Sequence, residues 1–189
     1  MNCKGKAYYI TLSGEEHTLK GDIVLSINQF KTLNCKGKIS FSNIKASEIS
    51  LSGDMNIESL EAKNIRLCGM VHAGKLQAAD INLSLHKVNE INQIECTNLN
   101  ISHSALPSTD SIEALEDFMG VKIHQYISHE QTSIHLGTII AKTVEVHNCH
   151  ISELVCDNAK IVDCTIDDLT YKGSCDIGGD TVIKRQTRK

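Results

Sequence analysis

The sequence predicts an all-β chain: a three-sided parallel β-helix in two segments, with a short helix in the connection between them. Three observations predict it. Glycines recur every 16 residues, at Gly5, Gly21, Gly37, Gly53 and Gly69. Within the blocks these glycines open, apolar residues keep to the same six positions. Past about Thr132 a second apolar pattern returns with a period of 15. A fixed period of this size marks a solenoid, in which each repeat buries its apolar side only by stacking on its neighbours.

The first pattern is clearest in GDIVLSINQFKTLNCK, GKISFSNIKASEISLS, GDMNIESLEAKNIRLC and GMVHAGKLQAADINLS. Positions 3, 5, 8, 10, 13 and 15 are apolar at 23 of 24 places, with only Asn28 departing, whereas the other 40 places hold five apolar residues besides glycine. That separation assigns an inside and an outside. It gives columns such as Ile23, Ile39, Met55 and Val71, and Leu33, Ile49, Ile65 and Ile81. A gap of two puts both side chains on one face of a strand, and a gap of three means that the chain has turned a corner. Three such pairs per block make three short strands per coil. The glycine suits the widest corner, where a positive φ is needed. An amphipathic helix would require gaps of three and four.

The pattern extends in both directions. Residues 5–20 read as a degenerate first coil with Tyr9, Leu12 and Leu19 inside. After Leu83 two residues are inserted, and Ile94, Cys96, Leu99 and Ile101 restore the register, so the first segment spans 5–103. The connection, 104–131, holds the only proline, Pro107. It also holds a capping box, Asp110 and Glu113, around the start of an apolar stripe of Ile112, Leu115 and Phe118, which predicts the short helix. The second segment, 132–183, places Ile134, Cys149 and Cys164 in one column. Leu136, Ile151 and Ile166 form another, as do Ile139, Leu154 and Leu169, and Ala141, Cys156 and Tyr171. The chain then reads as a basic, solvated tail, 184–189. Roughly nine coils at about 4.8 Å each give a rod on the order of 40 Å long.

Composition narrows the function classes. A formal charge of −4 gives no reason to expect nucleic acid as a partner. The start MNCKGKAYYI lacks the apolar core of a signal peptide, and no apolar run approaches a membrane span, so a cytoplasmic protein with reduced thiols is expected. Membrane association, through the basic tail or the connecting helix, is not required.

No phosphate-binding glycine loop, nucleophile elbow or zinc-protease helix occurs. His147, Cys149, His150, Cys156 and Cys164 raise the question of a metal, but the register turns the cysteines inward as small hydrophobes and the histidines outward. Cys35 and Cys96 are also inward, while Cys3, Cys68 and Cys175 are off register. The carboxylate pairs Glu15–Glu16 and Asp167–Asp168 fall outside the inward columns and read as solvated corners. No catalytic, cofactor or metal residues are therefore assigned, and an enzyme is not expected.

The ends of the solenoid remain. An open end is a strand edge, and edges invite pairing. The residues expected at a self-assembly interface are Tyr9, Leu12 and Leu19 at one end and Ile166, Leu169, Tyr171 and Ile177 at the other. Ile112, Leu115 and Phe118 are the expected partner-docking residues.

Blocks such as GDMNIESLEAKNIRLCG, followed after a connection by AKTVEVHNCHISELVCDNAKIVDCTIDDL, resemble the bactofilins, the polymer-forming cytoskeletal proteins of bacteria. They are most similar to the subgroup of Gram-positive bacteria with an interrupted solenoid. The resemblance covers roughly 20–103 and 132–180. It implies a right-handed β-helix, nucleotide-independent polymerisation of the chain with itself, and a scaffolding role for envelope or motility proteins. Pentapeptide-repeat and left-handed hexapeptide solenoids fit less well, since their periods differ from 16 and 15. A β-helical adaptor that binds one protein partner without polymerising is the alternative.

Overall fold

The computed structural model describes residues 2–4, 7–8, 16–86, 89–103 and 134–189. The described strands are Asn2–Lys4 (β1), Ala7–Tyr8 (β2), Glu16–Leu85 (β3), Asn89–His103 (β4), Ile134–Ile140 (β5) and Thr143–His147 (β6). They continue as His150–Cys156 (β7), Asn158–Val162 (β8), Thr165–Tyr171 (β9), Cys175–Gly178 (β10) and Val182–Arg188 (β11). Their pairings are parallel, and they join in one sheet wound into a solenoid of about eight turns. The parallel β-helix expected from the periodicity is the fold observed.

Burial follows the columns. Ile23, Ile39, Met55 and Val71 are buried, as are Leu33, Ile49, Ile65 and Ile81. In the second register Leu136, Ile151 and Ile166 are buried, and so are Ile139, Leu154 and Leu169. These side chains form one apolar core along the axis. Each fully buried Leu or Ile stabilises the fold by roughly 1.5–3 kcal/mol. The position-10 column holds Phe30 and then Ala46, Ala62 and Ala78; the alanines are only partly buried, so the core is thinnest there.

The 70-residue strand β3 runs through several corners without a break. Its wide corner is a glycine column, Gly21, Gly37, Gly53 and Gly69, with φ between 118° and 134°. A Cβ on Gly37 would overlap the carbonyl oxygen of Gly21, and Gly53 and Gly69 stand in the same relation to the glycine one coil before. Glycine is thus required twice, for its φ and for the close backbone stacking.

The two-residue insertion after Leu83 is mended by a polar side chain. Across it, β3 and β4 remain in register, with Ala73 against Ile91 and Ile81 against Leu99. Asn89 takes the place in the ladder beside Val71 and is fully buried. Its Oδ1 accepts a hydrogen bond from Val71 N at 2.7 Å, and its Nδ2 donates to His86 O at 2.8 Å. The side-chain amide thereby supplies the partners that the displaced backbone does not.

The two registers belong to one ladder. Asn89 of β4 pairs with Ile134 of β5, and Leu99 pairs with Val144 of β6. The coil ending at His103 is followed in space by the coil opening at Ile134, so the solenoid is continuous where the chain carries residues 104–133. The helix expected near Ile112, Leu115 and Phe118 lies outside the described residues.

The end of the chain differs from expectation. The sequence predicts a tail at 184–189, whereas Lys184 to Arg188 lie on β11, which pairs with β9. The last coil has a neighbour on one side only. Its inward columns are half solvated and accept polar residues, so the apolar pattern stops before the coil does.

Candidate functional site: the terminal coil and the outward ladders

The C-terminal coil presents two edge strands, β10 over β8 and β11 over β9. Ile177 stacks on Ile161 and is 42% exposed; Val182 stacks on Thr165 and is 55% exposed. Half-buried Ile183 sits over Ile166 in the inward column, whereas Val182 follows the outward column of Thr165. Polar groups complete the surface. Gln186 lies over Leu169 and Arg188 over Tyr171. Thr181 Oγ1 accepts from Cys164 N at 3.3 Å and donates to Gly178 O at 2.7 Å.

Ion pairs tie the edge down. Lys184 Nζ lies 2.8 Å from Asp167, and Arg185 makes a two-pronged contact with the Asp168 carboxylate. Both carboxyls are held below their ordinary value: Asp167 by hydrogen bonds from Lys184 and His150, Asp168 by those from Arg185. Gln186 Nε2 donates to Tyr171 Oη at 3.1 Å, and the Arg188 guanidinium sits 5.9 Å from the centre of the Tyr171 ring. Charged side chains on an edge strand discourage indiscriminate pairing.

The residues expected at a self-assembly interface are dispersed. Ile177 is exposed on the terminal turn, and Tyr171, on β9 beneath Arg188, is half-buried. Ile166 and Leu169 are core residues covered by Ile183 and Gln186. They lie one coil short of the end, because β11 is present. Leu19 is buried, and its backbone pairs with Cys3 of β1. Tyr9 and Leu12 lie outside the described residues, as do Ile112, Leu115 and Phe118. Sequence reasoning missed Val182, because two adjacent apolar residues, Val182 and Ile183, do not by themselves say which one faces inward.

The cysteines sort largely as the register requires. Cys35, Cys149, Cys156 and Cys164 are buried, Cys96 is half-buried and Cys68 is exposed. Cys175 is the exception: it stacks on Ala159 and is half-buried, because the coil carrying it runs one residue longer than the period of 15. Burial pushes the Cys35 and Cys96 thiols up to about 12 and Cys156 to about 11, so these remain protonated and inert. Cys149 and Cys164 stand Sγ to Sγ 3.5 Å apart, and the shared hydrogen bond together with burial raises the Cys149 thiol.

On the outside, cross-coil pairs recur. Lys45 meets Glu61, Lys75 meets Glu95 at 3.0 Å, and Lys160 meets Glu145 at 2.8 Å. One face carries a shallow groove in which Ser50, Ser52, Asn82 and Ser84 flank Arg66 and Cys68. Arg66 is the only charged side chain lining it, and no acid–base pair faces it. Among the described residues no group of three or more His, Cys, Asp or Glu converges on a point. Among them, too, no helix is long and apolar enough to cross a membrane. Comparison with protein-family models, curated proteins and solved structures finds no match to this chain.

Proposed function

We propose that this chain is a bactofilin-like structural scaffold that assembles with itself through its end coils, without nucleotide, and does not act as an enzyme. The observation that carries the reading is the single parallel ladder ending in open edge strands, with Ile177 and Val182 exposed on the terminal coil. Open backbone donors and acceptors on β10 and β11 offer a second coil the same pairing that joins every coil within the chain. The ladder's continuity across the change of register supports a rod that transmits alignment from end to end. Envelope or motility proteins are the proposed cargo, held along the outer faces; nucleic acid is not. The proposed setting is the cytoplasm, with membrane contact optional.

A second reading has its own observation. Gln186 and Arg188 on the terminal coil make one end polar and basic, which favours an adaptor that binds one protein partner without polymerising. Sedimentation velocity and negative-stain microscopy of the purified chain separate the two. Filaments or concentration-dependent oligomers that are lost in Ile177→Lys and Val182→Lys support the scaffold. A monomer that persists at high concentration across salt conditions sinks it in favour of the adaptor.

A further inference from the structure

His135 and His150 are ladder partners on consecutive coils, both pointing outward. Their Nδ1 atoms face each other at 3.4 Å, with the rings nearly perpendicular at 83°. That separation is long for an N–H···N hydrogen bond. It matches two nitrogens on one tetrahedral ion, since metal–nitrogen bonds of about 2.0–2.1 Å at the tetrahedral angle place the ligands roughly 3.3–3.4 Å apart.

A further contact orients the pair. His150 Nε2 lies 3.3 Å from Asp167 Oδ1, and Lys184 Nζ holds the same carboxylate oxygen at 2.8 Å. With the proton on Nε2 donated to Asp167, the Nδ1 lone pair of His150 is left facing His135. A carboxylate behind a ligating imidazole is the arrangement that fixes tautomer and ring orientation in metal sites. Glu90 pairs with His135 from the preceding coil, so the column also carries a negative charge beside the pair.

We propose that His135 and His150 form a binding site for a borderline d-block divalent cation, of which zinc is the representative. The two Nδ1 atoms are the protein ligands, solvent completes the coordination, and Asp167 is a positioning residue. Imidazole donors suit zinc, copper and nickel and disfavour calcium and magnesium. Binding there bridges two coils of the 15-residue register.

The test is calorimetric titration of the full chain with zinc chloride at neutral pH, in a non-coordinating phosphine reductant. One saturable ion per chain is expected. His135→Ala and His150→Ala should each weaken binding more than tenfold, and Asp167→Asn should weaken it roughly tenfold. His147→Ala, at a histidine near in sequence but on β6 beside Glu145, should bind as the parent does. All three histidine positions are at the surface, and an unchanged circular dichroism spectrum confirms the fold of each variant. Absence of binding by the parent, or binding that survives both histidine substitutions, overturns the site. Parent-like affinity in Asp167→Asn overturns the role given to that carboxylate. Cobalt substitution supplies an independent readout: sulfur-to-cobalt charge-transfer bands would move the ion to the cysteines and overturn the proposal, and their absence supports nitrogen ligation.

Discussion

The glycine-cornered coils of β3 and the later coils from Ile134 onward solve one geometric problem in two ways. In β3 the corner is a glycine at φ 118–134°, and the strand passes through it unbroken. In the later coils the corner is Asn148 or Asp163, at φ 53° and 55°, and strands end on either side of it. Gly179 continues that column at φ 62°. Asn and Asp tolerate the left-handed helical region, whereas the glycine column lies well beyond it. One register therefore depends on having no side chain, and the other on short polar ones. Asp163 Oδ1 accepts from Asp180 N at 2.8 Å, a use of the side chain that glycine could not make.

Substitutions at the two corners break or sharpen this contrast. Gly53→Val should have the largest effect, destabilising by about 3 kcal/mol or more, since it combines a forbidden φ with overlap on the Gly37 carbonyl. Asn148→Gly should change stability by no more than about 0.5 kcal/mol. Denaturant unfolding followed by circular dichroism measures both, and equal effects would dissolve the distinction. Core substitutions should not distinguish the registers: Leu60→Ala and Leu154→Ala, both fully buried, should each cost about 2–5 kcal/mol in the same assay. Between the registers, Asn89→Leu should destabilise by about 1–3 kcal/mol despite its apolar surroundings, because Val71 N and His86 O would lose their partner. A neutral result would show that the backbone closes over the insertion unaided.

The smallest effect concerns pH. Asp167 and Asp168 are held below their ordinary values, so their contribution is fully present above the usual carboxylate range and is lost as pH falls from that range through their lowered values. Acid should therefore loosen β11 before it touches the core. The hydrogen-exchange protection factors of the β11 amides, corrected for the intrinsic pH dependence, should fall below about pH 4 while Ile151 and Leu154 stay protected. A uniform fall in protection would mean that the terminal coil is not separately held.

The periodicity carried most of the fold, because burial in a solenoid repeats with the chain. Val71 or Leu154 is placed by counting from any neighbour in its column. What counting could not reach was whatever departs from the period. Asn89 is polar in an apolar column, and its role depends on backbone displaced by the insertion before it. The contact of β4 with β5 joins residues on opposite sides of 104–133, and no local pattern records it. Gln186 and Arg188 look like a solvated tail because an end coil is released from the apolar rule. The 15-residue spacing of His135 and His150 was readable, and the outward direction of His150 was assigned, but which nitrogen faces which follows only from the structure.

The ladder's direction has a mechanical consequence. Its interstrand hydrogen bonds run along the rod axis, so tension applied between the two termini does not load them together. It opens the outermost coil first, and each coil then shields the next. A released coil of 15 or 16 residues adds on the order of 50 Å of contour length. Under load the protein should behave as a spool, lengthening in near-equal steps at modest force, with the change of register written into the step size.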